Sequence, residues 1–117
     1  MKSTNYKDEV LNYLKKYNIE DVVFPKSGIE QQLSTRRISK EEINNNLMNP
    51  KYLVFAERQE REFHGKKEVR HNCYFLFSKS KAHRYVLVFN DKLKVITAIP
   101  LGRKTLNKAN IKNIFGG

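Results

Sequence analysis

Between Lys67 and Pro100 the chain runs through three β-rich segments separated by two short polar breaks. KEVRHNCYFLF (67–77), AHRYVLVF (82–89) and LKVITAIP (93–100) are dominated by Val, Ile, Tyr and Phe, which suit a pleated, half-buried surface. SKSK (78–81) is a polar loop and NDK (90–92) a tight connection of hairpin type. The pattern predicts three consecutive antiparallel strands, with KYLVFAERQ (Lys51–Gln59) as a fourth before them. Alternation puts Val69, His71, Cys73, Phe75 and Phe77 on one face, and Arg70, Asn72, Tyr74 and Leu76 on the other. The register of the last hairpin stays open. A loop of Asn90, Asp91 and Lys92 sets Phe89 opposite Leu93, Tyr85 opposite Thr97 and His83 opposite Ile99. A loop of Asn90 and Asp91 alone sets Arg84 opposite Thr97.

The first half reads as helices. In Lys7–Tyr17, Val10, Leu14 and Tyr17 recur at i, i+4 and i+7, with Leu11 widening the stripe. Ile19–Phe24 is a short apolar run leading into Pro25, which stops any helix and holds Phe24 extended. Ser27–Thr35 is a second short helix, with Ser27 as cap and Glu30 completing a capping box. Ser39–Met48 repeats the device with Ser39 and Glu42, and Asn49-Pro50 ends it. Helices followed by an antiparallel meander predict an α+β domain: N-terminal helices packed on a curved four-stranded antiparallel sheet.

At 117 residues the chain is one domain by length, spanning residues 1–117. Residues 1–6 and 101–117 are the candidates for flexibility; the tail could also form a short helix capped by Thr105. The single cysteine, Cys73, excludes an intramolecular disulfide and a CxxC metal knuckle. No His, Cys, Asp or Glu pair has metal-ligand spacing, so neither a zinc site nor another cofactor is expected. No apolar run approaches a membrane span, and no signal-peptide apolar region opens the chain. A soluble cytoplasmic protein, without membrane attachment, is the expectation.

The formal charge is +11 and unevenly placed. Residues 1–57 carry 9 Lys/Arg against 8 Asp/Glu, and residues 58–117 carry 14 against 4. Solubility does not require such segregation. A one-sided basic surface is the electrostatic footprint of a polyanion partner, most commonly nucleic acid. An acidic protein or an anionic membrane surface would answer to the same charge.

The stretch Phe24–Pro100 resembles the RelE/ParE-like toxin superfamily and its small uncharacterised relatives. The resemblance rests on short helices holding an RRIS turn (Arg36–Ser39), a capped helix ending in Asn49-Pro50, and a meander closing on VITAIPLG (Val95–Gly102). It covers about two thirds of the chain, and its motifs are loose. Some relatives carry a histidine at the start of the short helix, where this chain has Lys26, Ser27 or Gly28. The resemblance implies a RelE-like fold, a metal-independent endoribonuclease or a relative without known activity, and an antitoxin as partner.

Cleaving RNA without a metal requires a base, an acid and a cation facing the phosphorane charge. The candidates here are Arg84, His71, Arg36, Arg37 and His83. The phosphate-binding candidates are Arg70, Lys94, Arg103 and Lys104, with Tyr74 as a base-stacking residue. Each has a plainer reading: His71 as a core histidine, His83 as a solvated strand end, Arg36 or Arg37 in a salt bridge to Glu30, Glu41 or Glu42, and Arg84 and Lys94 as edge protection. Three functions follow: an RNA-binding and RNA-cleaving toxin-like protein, a non-catalytic nucleic-acid-binding module on the same fold, or an interaction protein docking an acidic partner.

Overall fold

A computed structural model of the chain describes residues 5–102. The element order is α1 (Lys7–Leu14), a 3-10 turn (Ile19–Asp21), β1 (Val22–Val23), α2 (Ile29–Thr35), α3 (Lys40–Met48), β2 (Leu53–Phe63), β3 (Lys66–Ser78), β4 (Lys81–Phe89) and β5 (Leu93–Gly102). The class is α+β. The sheet, however, is five-stranded and mixed, in the order β1-β5-β4-β3-β2, not four-stranded and antiparallel. β2 to β5 form the antiparallel meander, and β1 joins it parallel to β5, pairing Val22 with Leu93 and Val23 with Lys94. Two β-branched residues ahead of Phe24-Pro25 are already extended, so they add to an open edge at little entropic cost. A pair of residues has no period, so pattern reading could not identify it as a strand.

Local chemistry sets the helix ends. α1 stops at Leu14, short of Tyr17, whose hydroxyl instead donates to the Asn90 carbonyl at 2.6 Å. Ser27 does not cap α2. The N-cap is Gly28, at φ 77°, without a side-chain bond. Glu30 turns instead to Lys40, 2.6 Å away, and that ammonium holds its carboxyl below the usual carboxylate range. Ser39 does cap α3, its Oγ accepting from the Glu42 amide at 3.0 Å. α2 ends in a Schellman motif: the Ile38 amide donates to Leu33 at 2.9 Å and the Arg37 amide to Ser34 at 3.1 Å, with Arg37 left-handed at φ 58°. Leu33 and Ile38, at the two ends of that motif, are both buried.

One sheet face meets the helices. Val10, Leu14, Ile29, Leu33, Ile43 and Leu47 pack there against Cys73, Phe75, Tyr85, Leu87 and Val95. A smaller cluster, including Phe55, Tyr74, Ala82, Leu101, Leu76 and Ile99, lies on the other face. The expected alternation along β3 therefore holds. β2 and β3 are joined by His64-Gly65, at φ 51° and 79°, which pairs Phe63 with Lys66. Positive φ at both positions is the signature of a two-residue type I′ hairpin. The β4–β5 register matches neither expectation completely. Phe89 faces Leu93, as a three-residue loop requires, but a bulge after Val86 then shifts the ladder by one, so that Val86 faces Thr97, Tyr85 faces Ala98, Arg84 faces Ile99 and His83 faces Pro100.

Candidate nucleic-acid interface

The strand register decides which polar side chains share a face. On the face turned away from the helices, rows run across the sheet. Ile99, Arg84 and Tyr74 align, as do Thr97, Val86, Asn72 and Glu57, and Gln59 lies opposite Arg70. Lys94, opposite Val88, belongs to the same face by alternation. This outer face thus has an apolar end around Ala82 and Leu101 and a polar end around Arg70, and Arg84 sits where they meet.

The polar end is hollowed into a cleft of about 370 Å³, lined by Lys26, Gln59, Arg61, Arg70, Asn72, Arg84, Val86, Ile96 and Thr97. Four of these residues are cations and none is a carboxylate. The neighbouring acids are engaged beside it. Glu68 accepts from Arg70 Nε at 2.6 Å, and Glu57 accepts from the Tyr74 hydroxyl at 3.3 Å. Tyr74 also bonds to Arg84; burial and the Glu57 carboxylate push its hydroxyl up in pKa, while Arg84 opposes them. Arg84 Nε is itself buried, with no hydrogen-bond partner among the described residues. The guanidinium is thus oriented by Tyr74, with part of its donor capacity unspent.

The structure gathers some of the expected residues and separates others. Arg84, Arg70, Lys94 and Tyr74 share the outer face. Tyr74 is only 6% exposed, too buried to stack on a base, and acts instead as a positioning residue for Arg84. The two strand histidines are on the other face. His71 is buried against α1, its Nε2 2.8 Å from Glu9. His83 is not a solvated strand end: it is 2% exposed, and its Nδ1 lies 2.8 Å from the Tyr85 hydroxyl. Asn46 Nδ2 donates to that same oxygen at 2.8 Å. Desolvation lowers the His83 pKa, favouring the neutral ring; Glu42 opposes this and Lys81 adds to it.

Among the described residues Arg36 makes none of the three salt bridges considered for it; its guanidinium donates to Thr97 Oγ1 at 3.2 Å and to the Ala98 carbonyl at 2.9 Å, closing part of the β5 edge. Arg37 occupies the left-handed stop of α2, away from the cleft. Arg103 and Lys104, and the expected Thr105 cap, lie outside the described residues.

Lys26, Gln59 and Arg61 were not among the expected binding residues. Gln59 and Arg61 follow from the two-residue His64-Gly65 turn, which sets β2 against β3 and brings Gln59 opposite Arg70. Lys26 comes from the loop after β1, which no local pattern links to the sheet. Among the described residues, no group of three or more His, Cys, Asp or Glu side chains is placed to hold a metal ion, and no helix is long and apolar enough to cross a membrane. Comparison with family models, with curated proteins and with solved structures finds no match for this chain.

Proposed function

We propose that the protein is a nucleic-acid-binding module that grips the phosphate backbone of single-stranded RNA in the outer cleft. The observation that carries this reading is the convergence of Lys26, Arg61, Arg70 and Arg84 around one cleft without a carboxylate in its lining. Asn72, Gln59 and Thr97 add neutral hydrogen-bonding groups between the cations. With Tyr74 withdrawn into the sheet, no described aromatic of this face is offered for stacking. Recognition then rests on phosphate contacts and carries little sequence preference.

The resemblance to RelE/ParE-like toxins adds RNA as the expected polymer, and an acidic antitoxin segment as a partner for the same cleft. Binding without cleavage is the better-supported reading. His71 and His83, the candidate proton carriers, are on the opposite side of the sheet from Arg84, so neither can serve a phosphate held there. The test is to incubate the protein with single-stranded RNA in EDTA, measuring binding by anisotropy and cleavage by gel. Retained affinity with intact RNA supports the module. Cleavage lost in Arg84→Gln but not in a helix-face variant would establish the toxin-like enzyme instead. Absence of binding at low salt would remove both.

A further inference from the structure

On the helix side of the sheet, where β2 and β3 approach their turn, there is a second cleft of about 690 Å³. It shares no lining residue with the outer cleft. Its volume is within the roughly 300–1,000 Å³ range of small-molecule sites. One wall is aromatic: Tyr13 and Phe89 stack with ring centroids 4.9 Å apart. His71 forms part of the lining, edge-on to both rings at 5.7 and 5.3 Å. Arg58, Lys66 and Lys67 stand exposed on the rim.

The bonding of His71 is lopsided. Nε2 lies 2.8 Å from Glu9 Oε2, while Nδ1 is buried without a hydrogen-bond partner among the described residues. An unsatisfied polar atom inside a folded protein is costly, and a polar group of a ligand that reached it would relieve it. Of the acids near the rim, Glu68 is engaged by Arg70 at 2.6 Å and Glu60 by Arg58 at 3.5 Å, and Glu62 lies opposite Lys67 across the β2–β3 ladder. In the lining itself Arg58, Lys66 and Lys67 outnumber the one carboxylate, Glu68.

We propose that this cleft binds a nucleotide unit, with its planar base on the Tyr13–Phe89 wall, a polar group toward His71, and its phosphate at Lys67, which shares the helix-side phase of β3 with His71. Aromatic surface, an unpaired ring nitrogen and a rim cation within one cleft match the three chemical parts of such a ligand. The unit can be a free mononucleotide or the terminal unit of a strand. The site stands whether or not the outer cleft binds RNA.

The test titrates 5′-AMP, adenosine and inorganic phosphate into the full chain by calorimetry, with the histidine ring resonances followed by NMR. AMP should saturate and shift the His71 ring signals, and adenosine and phosphate should each bind more weakly. Lys67→Ala, exposed and harmless to the core, should weaken AMP about tenfold or more, while Lys66→Ala, of the opposite strand phase, should not. A 5′-phosphorylated tetranucleotide that displaces AMP assigns the site to strand ends as well, and one that leaves AMP bound assigns it to the free nucleotide. Failure of AMP to bind at about 10 mM, phosphate binding as tight as AMP, or equal AMP affinity in wild type and Lys67→Ala would overturn the proposal.

Discussion

His83 and Arg84 are consecutive in the chain and lie on opposite sides of the sheet. His83 is sealed beneath the helices, bonded to Tyr85, while Arg84 reaches the outer cleft and is steadied by Tyr74. The β pleat imposes this separation, because neighbours on a strand point to opposite faces. A chemical pairing suggested by adjacency is therefore the one that a strand forbids.

The neutral state of His83 makes stability depend on pH. Its pKa is lowered in the folded state from the ordinary value of 6.5. Above that value both states are neutral and the residue adds no slope. Below it the unfolded chain takes up the proton first, so stability drops as pH drops, by at most about 1.4 kcal/mol per unit, until folded His83 also protonates. Urea titrations at about pH 7.5 and pH 5 should show a larger loss for wild type than for His83→Gln. Equal losses would mean that His83 is not held neutral.

Leu14 and Leu47 are 4% and 1% exposed, and both belong to the main core cluster. Leu14→Ala and Leu47→Ala should each cost roughly 2–5 kcal/mol, the usual range for a packed leucine. Urea midpoints converted with a common m-value measure this. Losses under about 0.5 kcal/mol would contradict the packing of α1 and α3 on the sheet.

The left-handed residues make opposite predictions. Arg37 occupies the stop position of α2, where glycine is favoured, so Arg37→Gly should stabilise by up to about 1 kcal/mol. Gly65 has the same sign of φ, and a Cβ there meets no atom within 4 Å. Gly65→Ala should therefore cost about 1–2 kcal/mol through backbone strain alone. Thermal unfolding of both variants checks the pair. Stabilisation by Gly65→Ala would contradict the type I′ turn.

Much of the fold could be read from the chain, and the exceptions have specific causes. The alternation from Val69 to Phe77 assigns its faces correctly because period two is unambiguous over a long strand. The pairing of Arg84 with Ile99 was not legible. It depends on a bulge after Val86, and one extra residue leaves no mark in a run of apolar side chains. The Ser27 box failed because a left-handed Gly28 begins α2 and Glu30 finds Lys40 instead. The cationic cleft was half visible: Arg70 and Arg84 stand out as strand cations, but Arg61 is placed by the His64-Gly65 turn and Lys26 comes from a distant loop.

The salt dependence of RNA binding in paired variants tests the outer cleft most directly. Each cation that neutralises a phosphate contributes about 0.7 to the slope of log affinity against log salt for a single strand. Arg61→Gln/Arg84→Gln should lower the slope by about 1.4 and weaken binding at low salt, while Arg37→Gln/Lys40→Gln, at the turn between α2 and α3, should leave the slope unchanged. Equal slopes in wild type and the Arg61/Arg84 variant, or a loss confined to the Arg37/Lys40 control, would contradict the assignment of phosphate binding to this face.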